Sequence, residues 1–396
     1  MQADNQNLFV EINHSKFIFI AGLYDDNHNF KIKEKIAVNN EGFYNKKFTN
    51  IDLIEETIRK NIELIEDRLN CVFKDVTIIL DNFYSTCINI SGFKKLNGSQ
   101  VLKENISYIL NSLKLAVTEN EKEKTILHIF NSKSVLDNKR VENLPIGLFG
   151  NFYSHGLTFF LIKNNDLMNI KQLFNKNNLN IKKIFIKNFI EGVELIDKDN
   201  NTETFFKIKI NKDNSNISFF DNASFKYVEN FNFGTSIIFN DIKKVCSLDY
   251  QIIDKILLDL PYEDKSFSDS ELFEEKYFNK GNYRKIRKKL ILEIVKARIE
   301  EIVNIIFNRN INIRSLKKNN IRIYLTIEDE TIFNNFKENF RSYFSHNETY
   351  LIKDLDIDKI ILSASYLSTY GWKKEAIPIT QTKNSVITRI FKSLFG

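Results

Sequence analysis

The densest basic run in the chain is Arg284, Lys285, Ile286, Arg287, Lys288 and Lys289. Cations packed this closely suit the grip of an acidic partner. On helical spacing Arg284 and Lys288 lie four apart, with Arg287 near both. Apolar neighbours on the same surface would add burial and orientation for a short acidic peptide. A cation cluster is unfavourable at a helix N-terminus, which argues for binding over the plain reading of a solvated helix start. Little else gathers into a reactive set. Cys71, Cys87 and Cys246 are scattered, odd in number and without metal spacing, as expected of free thiols in a reducing cytoplasm. His14, His28, His128, His155 and His346 are equally dispersed and suggest no metal site.

The last dozen residues carry a different chemistry. At about 100° per residue, Val386, Ile387, Ile390, Phe391, Leu394 and Phe395 cover one half of a helical wheel, and Thr388, Arg389, Lys392 and Ser393 the other. Such a helix spans only about 16 Å, too short to cross a bilayer. Its apolar face and two cations, Arg389 and Lys392, suit a helix lying in a membrane interface. The competing reading is a terminal helix docked on its own domain. The polar stretch 373–384, which includes Pro378, reads as a tether and favours the membrane.

The elements that must position these groups follow from composition and periodicity. With 396 residues and 43% hydrophobic content the chain can bury the cores of two or more subdomains. The net charge of +6 fits an anionic membrane or an acidic peptide as well as nucleic acid, and no nucleic-acid module or aromatic-basic stripe accompanies it. A polar N-terminus predicts no signal peptide, and the uncharged stretch 143–162 reads as a pair of strands and a turn. Residues 8–22 read as a strand leading into a hairpin through Asp25, Asp26 and Asn27. Ile51, Ile54, Ile58, Ile62, Ile65 and Leu69 mark an amphipathic helix. Strands are predicted at 75–80, 124–131, 181–186, 205–210, 217–220, 224–228, 321–327 and 359–362, and helices at 101–116, 168–179, 283–307 and 331–343. Strand triplets alternating with helices in two consecutive halves indicate an α/β protein of two related lobes.

At this point a family resemblance emerges. ILHIFNSKSVLD (126–137) with NLPIGLFG (143–150) is similar to the ILHIIP…Y.LD and DPIGM.G signatures of the actin-like bacterial cell-division protein FtsA. IVKARIEEI (294–302) resembles that family's EII.ARVEEI helix, and GTSIIFNDI (234–242) its GG..ITNDI segment. Ser365 to Gly371 resembles the helix before the tail, and the amphipathic terminus sits where the family keeps its membrane-targeting sequence. The related pilus-assembly branch, ATP-binding and hydrolysing actin-like proteins, shares much of the pattern and is the alternative.

The resemblance implies an actin-like fold: subdomain 1A at 1–82, 163–202 and 357–372, subdomain 1C at 83–162, subdomain 2A at 203–244 and 303–356, and subdomain 2B at 245–302. A linker at 373–384 and a membrane-targeting helix at 385–396 would follow. It implies a tether that holds FtsZ filaments to the cytoplasmic face of the inner membrane at the division site, self-associates into filaments and recruits other division proteins. Arg284, Lys285, Arg287 and Lys288 would bind the acidic C-terminal peptide of FtsZ. Val386, Ile387, Arg389, Ile390, Phe391, Lys392, Leu394 and Phe395 would meet anionic lipids.

The family holds ATP and Mg²⁺ with three loops whose glycines let backbone N–H groups approach the nucleotide. Here the first, resembling D-I-G-[ST], is Glu11, Ile12, Asn13, His14 and Ser15. The second, resembling D-I-G-G-G-T-T-D, begins at Lys209, with Asn211, Lys212 and Asp213 in place of the glycines. The third, resembling L-T-G-G-G, is Leu325, Thr326, Ile327, Glu328 and Asp329. Three altered loops predict that nucleotide binding is weak or lost and that the chain is not an enzyme. Rebuilt loops, with Lys209 or Lys212 meeting phosphate directly, are the alternative.

Overall fold

A computed structural model describes residues 6–376, apart from 14, 26–28, 45–46, 82, 84, 199–201, 261–266, 279–282, 318–320 and 345–347. The predicted membrane-binding segment 385–396 lies outside the described residues. The chain divides into two units: residues 1–203, 220–228 and 355–396 form the first, and 204–219 and 229–354 the second.

The first unit opens with β1 (Gln6–Ile12), β2 (Lys16–Tyr24) and β3 (Phe30–Asn39), then the short pair β4 (Phe43–Tyr44) and β5 (Lys47–Phe48). It continues through α1 (Ile51–Leu69), β6 (Asp75–Leu80), β7 (Thr86–Lys95), α2 (Lys103–Asn120), β8 (Lys124–Leu136), β9 (Lys139–Val141) and β10 (Phe152–Lys163). The helix α3 (Asn164–Asn175), the strand β11 (Asn180–Ile186) and the helix α4 (Lys187–Lys198) complete this stretch. One sheet has the order β11-β6-β1-β2-β3, with β1, β6 and β11 parallel and β2 and β3 antiparallel. Successive side chains alternate across a strand, so Leu8, Val10 and Ile12 share one face. There they pack with Ile54, Ile58 and Ile62 of α1 and Leu167, Ile170 and Phe174 of α3. Asn50 fixes where α1 begins, its side chain accepting from the Leu53 N–H, and Asn70 ends it in the left-handed region (φ 49°). A second sheet, β7-β10-β8-β9, is antiparallel and buries one face against Ile109, Leu113 and Val117 of α2.

The second unit holds β12 (Phe205–Ile210) and most of β13 (Ser215–Asp221), while β14 (Ser224–Phe231) straddles the boundary. Then come α5 (Ser236–Cys246), α6 (Tyr250–Asp259), α7 (Lys288–Val303), β15 (Arg322–Ile327), α8 (Glu330–Tyr343) and β16 (Thr349–Leu351). The sheet order is β14-β13-β12-β15-β16, with β12, β15 and β16 parallel. The chain then returns to the first unit in α9 (Ile357–Tyr370).

Several sequence readings change. The predicted strand 8–22 is a hairpin, because Asn13 turns the chain: its Oδ1 accepts from the N–H groups of Ser15 (2.9 Å) and Lys16 (2.7 Å). Residues 359–362, read as a strand, lie inside α9. There Asp356 caps the helix and Ile360, Ile361, Ala364 and Leu367 form its buried stripe. Residues 143–151 are turn and loop, and only 152–163 form a strand. The long helix begins at Lys288, not 283, and its last turn, Asn304–Asn308, is a π-helix. The described part of the predicted tether is docked on the first unit. Ala376 N–H donates to Ile129 O (2.7 Å), and the Glu375 carboxylate reaches His128 Nδ1 (3.3 Å) and Lys183 Nζ (3.5 Å). Burial alone would raise the Glu375 pKa, but His128 and Lys183 hold it down to about 2.

Candidate functional site

The first predicted nucleotide loop leaves β1 in the first unit. Glu11 points to the face of the sheet opposite Leu8 and Val10 and is 0% exposed. Lys187, the first residue of α4, lies 2.7 Å from Glu11 Oε1 and 3.3 Å from Asp81 Oδ2. Burial would lower the Lys187 pKa, but Asp81, Glu11 and Glu191 together hold it well above its ordinary value. Burial raises Glu11 against the pull of Lys187, with Asp81 and Glu191 adding repulsion. The group is therefore an ammonium ringed by carboxylates, and Glu11 Oε2 finds no hydrogen-bond partner. The rest of this loop serves its own turn. Asn13 Oδ1 also accepts from Ser15 Oγ (3.1 Å), and Asn13 O accepts from Asn40 Nδ2 (2.9 Å).

The second and third loops lie side by side in the second unit, because β12 pairs in parallel with β15 and sets Lys209 opposite Thr326 and Ile210 opposite Ile327. Lys209 Nζ reaches Asp354 Oδ2 at 2.6 Å. Asn211 turns the chain on itself: its N–H donates to Asn214 O (2.9 Å) and its Nδ2 to Asn214 Oδ1 (2.7 Å). Lys212, Asp213 and Glu328 are exposed, whereas Thr326 and Ile327 are buried. The N-terminus of α5 would ordinarily attract an anion. Here the Thr235 and Ser236 N–H groups donate to Asn211 O (3.0 Å) and Lys212 O (2.8 Å). A Cβ at Gly234 would lie 2.0 Å from Asn211 O, so glycine is what lets the two segments close. Asp329 is also committed: it caps α8 through Ile332 N–H (3.0 Å) and accepts from Thr235 Oγ1 (3.4 Å). This arrangement turns carbonyls toward the helix amides and fills the adjacent positions with its own side chains. It does not suit the phosphates of a nucleotide, and neither does the carboxylate at Glu11, which is committed to Lys187.

The basic run is the third site. Residues 284–287 are not helical: Ile286 N–H donates to Arg284 O (2.9 Å) in a tight turn, Phe273 N–H donates to Ile286 O (3.0 Å), Lys288 N–H donates to Glu271 O (2.9 Å), and Leu272 bridges Arg287. Arg284 and Lys288 are therefore not successive turns of one helix. Ile286 is buried and anchors the segment, which leaves Arg284, Lys285 and Arg287 exposed. Arg284 Nη1 donates to Cys246 O at the C-terminus of α5 (3.2 Å), where the helix dipole favours a cation. Lys288 is paired with Glu271 (2.7 Å) and Lys289 with Asp269 (2.5 Å). Arg284, Lys285 and Arg287 line a depression together with Val245 and Leu290. Val245 is 60% exposed and supplies an apolar patch beside the cations.

Sequence reasoning missed Lys187, Thr235 and Val245. A signal existed for Lys187: a lysine opening a helix straight after an apolar strand is disfavoured by the helix dipole and needs compensating carboxylates. Nothing local marks Val245, whose place depends on where α5 ends against the 284–287 segment.

Comparison with known proteins adds to this geometry. No family model matches the chain. It is 22% identical over 308 residues to the "Cell division protein FtsA" of Buchnera aphidicola subsp. Schizaphis graminum (strain Sg), covering 77% of this chain and 73% of that protein. It is 29% identical over 143 residues to the protein of the same name from Buchnera aphidicola subsp. Acyrthosiphon pisum (strain APS), 36% of this chain and 33% of that one. Among solved structures, the "PilM-PilN type IV pilus biogenesis complex" gives a TM-score of 0.53 at 9% identity, covering 93% of this chain and 96% of that chain. That last likeness is one of fold alone.

Proposed function

We propose that this chain, a divergent FtsA-like protein of actin-like fold, is a cell-division scaffold that tethers filaments of FtsZ to the cytoplasmic face of the inner membrane. The observation that carries this reading is the depression in the second unit, which Arg284, Lys285, Arg287 and Lys289 line together with the apolar Val245 and Leu290, the four cations outnumbering the carboxylates of Asp269 and Glu293 there. An acidic peptide with one or two apolar residues would gain charge attraction from the cations and burial against the exposed Val245 and Leu290. The amphipathic segment 385–396 would anchor the scaffold, and the exposed apolar residues around Phe93, Phe149 and Phe152 in the first unit would serve contacts between copies. The loop geometry supports a scaffold without a nucleotide switch, since the Thr235 and Ser236 amides, the Glu11 carboxylate and the Asp329 carboxylate already have partners within the fold.

Lys285 and Arg287 form no ion pair among the described residues, so their charge can be reversed with little effect on folding. In fluorescence-anisotropy titrations with the C-terminal peptide of FtsZ, Lys285→Glu with Arg287→Glu is expected to weaken binding at least tenfold, about 1.4 kcal/mol. Unchanged affinity would move the peptide site elsewhere. Calorimetric titration of the same protein with ATP and Mg²⁺ is expected to show no heat of binding. A micromolar complex would return nucleotide control to the mechanism.

A further inference from the structure

The strand β8 is paired with β10 along one flank, but its other flank is shared by two partners. Toward its start, Phe130 bridges Glu375, and Asn131 N–H donates to Lys374 O (2.7 Å). Toward its end, Ser134 pairs with Val141 of β9. Residues 132–133 fall between the two partners, and there the sheet edge opens into a pocket. Its walls include Ser134, Arg140, Asn143, Asn222, Lys373 and Lys374, and Lys133 also lines it. All of these residues belong to the first unit.

The charge in this pocket is unbalanced. Arg140 is paired with Asp221 (3.3 Å) and Lys373 with Glu203. Lys133 and Lys374 form no ion pair among the described residues, and Glu142 is the carboxylate on the rim. Lys374 Nζ donates to the backbone of Glu142 (3.3 Å). Its pKa is lowered, chiefly by burial and further by Lys373 and Arg140, against the pull of Glu203 and Glu142. An anion here would relieve that repulsion. The floor is polar and ordered: Ser134 Oγ lies 3.1 Å from His155 Nδ1, and His155 Nε2 lies 2.9 Å from Asn131 Oδ1. Those bonds suit a neutral His155 that accepts at Nδ1 and donates at Nε2, so the Asn131 amide can turn its N–H₂ elsewhere.

We propose that this pocket binds a phosphate group, held by Lys133, Lys374 and the guanidinium edge of Arg140. A phosphate offers acceptor oxygens in several directions, which matches donors that line one pocket from β8, β9 and the segment after α9. Two sources share this chemistry, a soluble phosphate ester and the headgroup of an anionic lipid. Lys373 and Lys374 lie at the root of the tail, and the eight residues 377–384 can reach at most about 28 Å. A headgroup bound here would sit within one linker length of the amphipathic segment.

The full chain tests this directly. At constant ionic strength, inorganic phosphate or glycerol phosphate is expected to raise the melting temperature relative to chloride. Lys133→Gln with Lys374→Gln is expected to abolish that rise while melting normally in chloride. If the double variant melts early, Lys133→Gln alone, at an exposed position, is expected to weaken the response severalfold. Co-sedimentation with phosphatidylglycerol vesicles separates the sources: a tenfold loss in the double variant assigns the lipid headgroup, and unchanged sedimentation with a lost phosphate response assigns a soluble ester. No response of the unaltered protein to phosphate, or one that survives in both variants, overturns the proposal. The soluble arm is independent of membrane anchoring, so failure of the tail as an anchor leaves it intact.

Discussion

Lys187 is a buried cation that holds three carboxylates together in the first unit. It enters α4 with its ammonium among Glu11, Asp81 and Glu191. Removing a buried cation strands the carboxylates that faced it, and such losses run to about 3–5 kcal/mol. Lys187→Met should lower stability by that amount in urea unfolding at neutral pH, with part recovered when Glu11→Gln is added. Equal stability of Lys187→Met and the unaltered chain would mean that the carboxylates are neutral without it. His155 makes the opposite kind of demand. Burial lowers its pKa from 6.5 to about 4, so the unfolded chain takes up a proton first as pH falls. Its contribution is complete above pH 6.5 and is lost between there and about pH 4, on the order of 3 kcal/mol. Melting curves across that window should show the loss, and His155→Gln should flatten it.

At the scale of elements, the loops expected from sequence to meet nucleotide serve as structural joints of the fold. Loop two ends β12 and immediately docks its carbonyls on the first turn of α5, a closure that depends on Gly234 having no Cβ. Gly234→Ala is expected to cost about 3 kcal/mol, because the obstacle is backbone rather than a side chain that can rotate away. Thermal unfolding would measure it, and a change below about 1 kcal/mol would mean that the loop is free to open. The basic segment 284–287 shows the same dependence on a distant partner. Its non-helical form comes from pairing with residues 271–273, and the helix starts where that pairing stops, at Lys288.

For the whole molecule, the proposed scaffold would couple anchoring to assembly. Six apolar side chains, Val386 to Phe395, and two cations would give one tail modest, reversible membrane affinity, each cation adding about 1 kcal/mol near anionic lipid. Many tails on one filament would multiply that affinity through effective concentration. Phe391→Asp is expected to release the protein from vesicles while the melting temperature stays unchanged. Continued co-sedimentation would show that the tail is not the anchor.

Local periodicity by itself determined α1, β6, β11, β12, β15 and α8, since each has an apolar pattern that only one element satisfies. The order of family-like motifs and the loss of loop glycines were also legible, because both are properties of residue type at fixed spacing. The closing elements were not. Residues 359–362 are apolar enough for a strand, and only the Asp356 cap and the face shared with Ala364 and Leu367 make them helical. Tertiary structure alone decided that Glu11 meets Lys187, that Val245 stands beside Arg284, and that Lys374 closes one side of a gap in β8. Each of these pairings joins residues tens to hundreds of positions apart. Their meeting depends on strand register and helix docking, which short-range spacing does not encode.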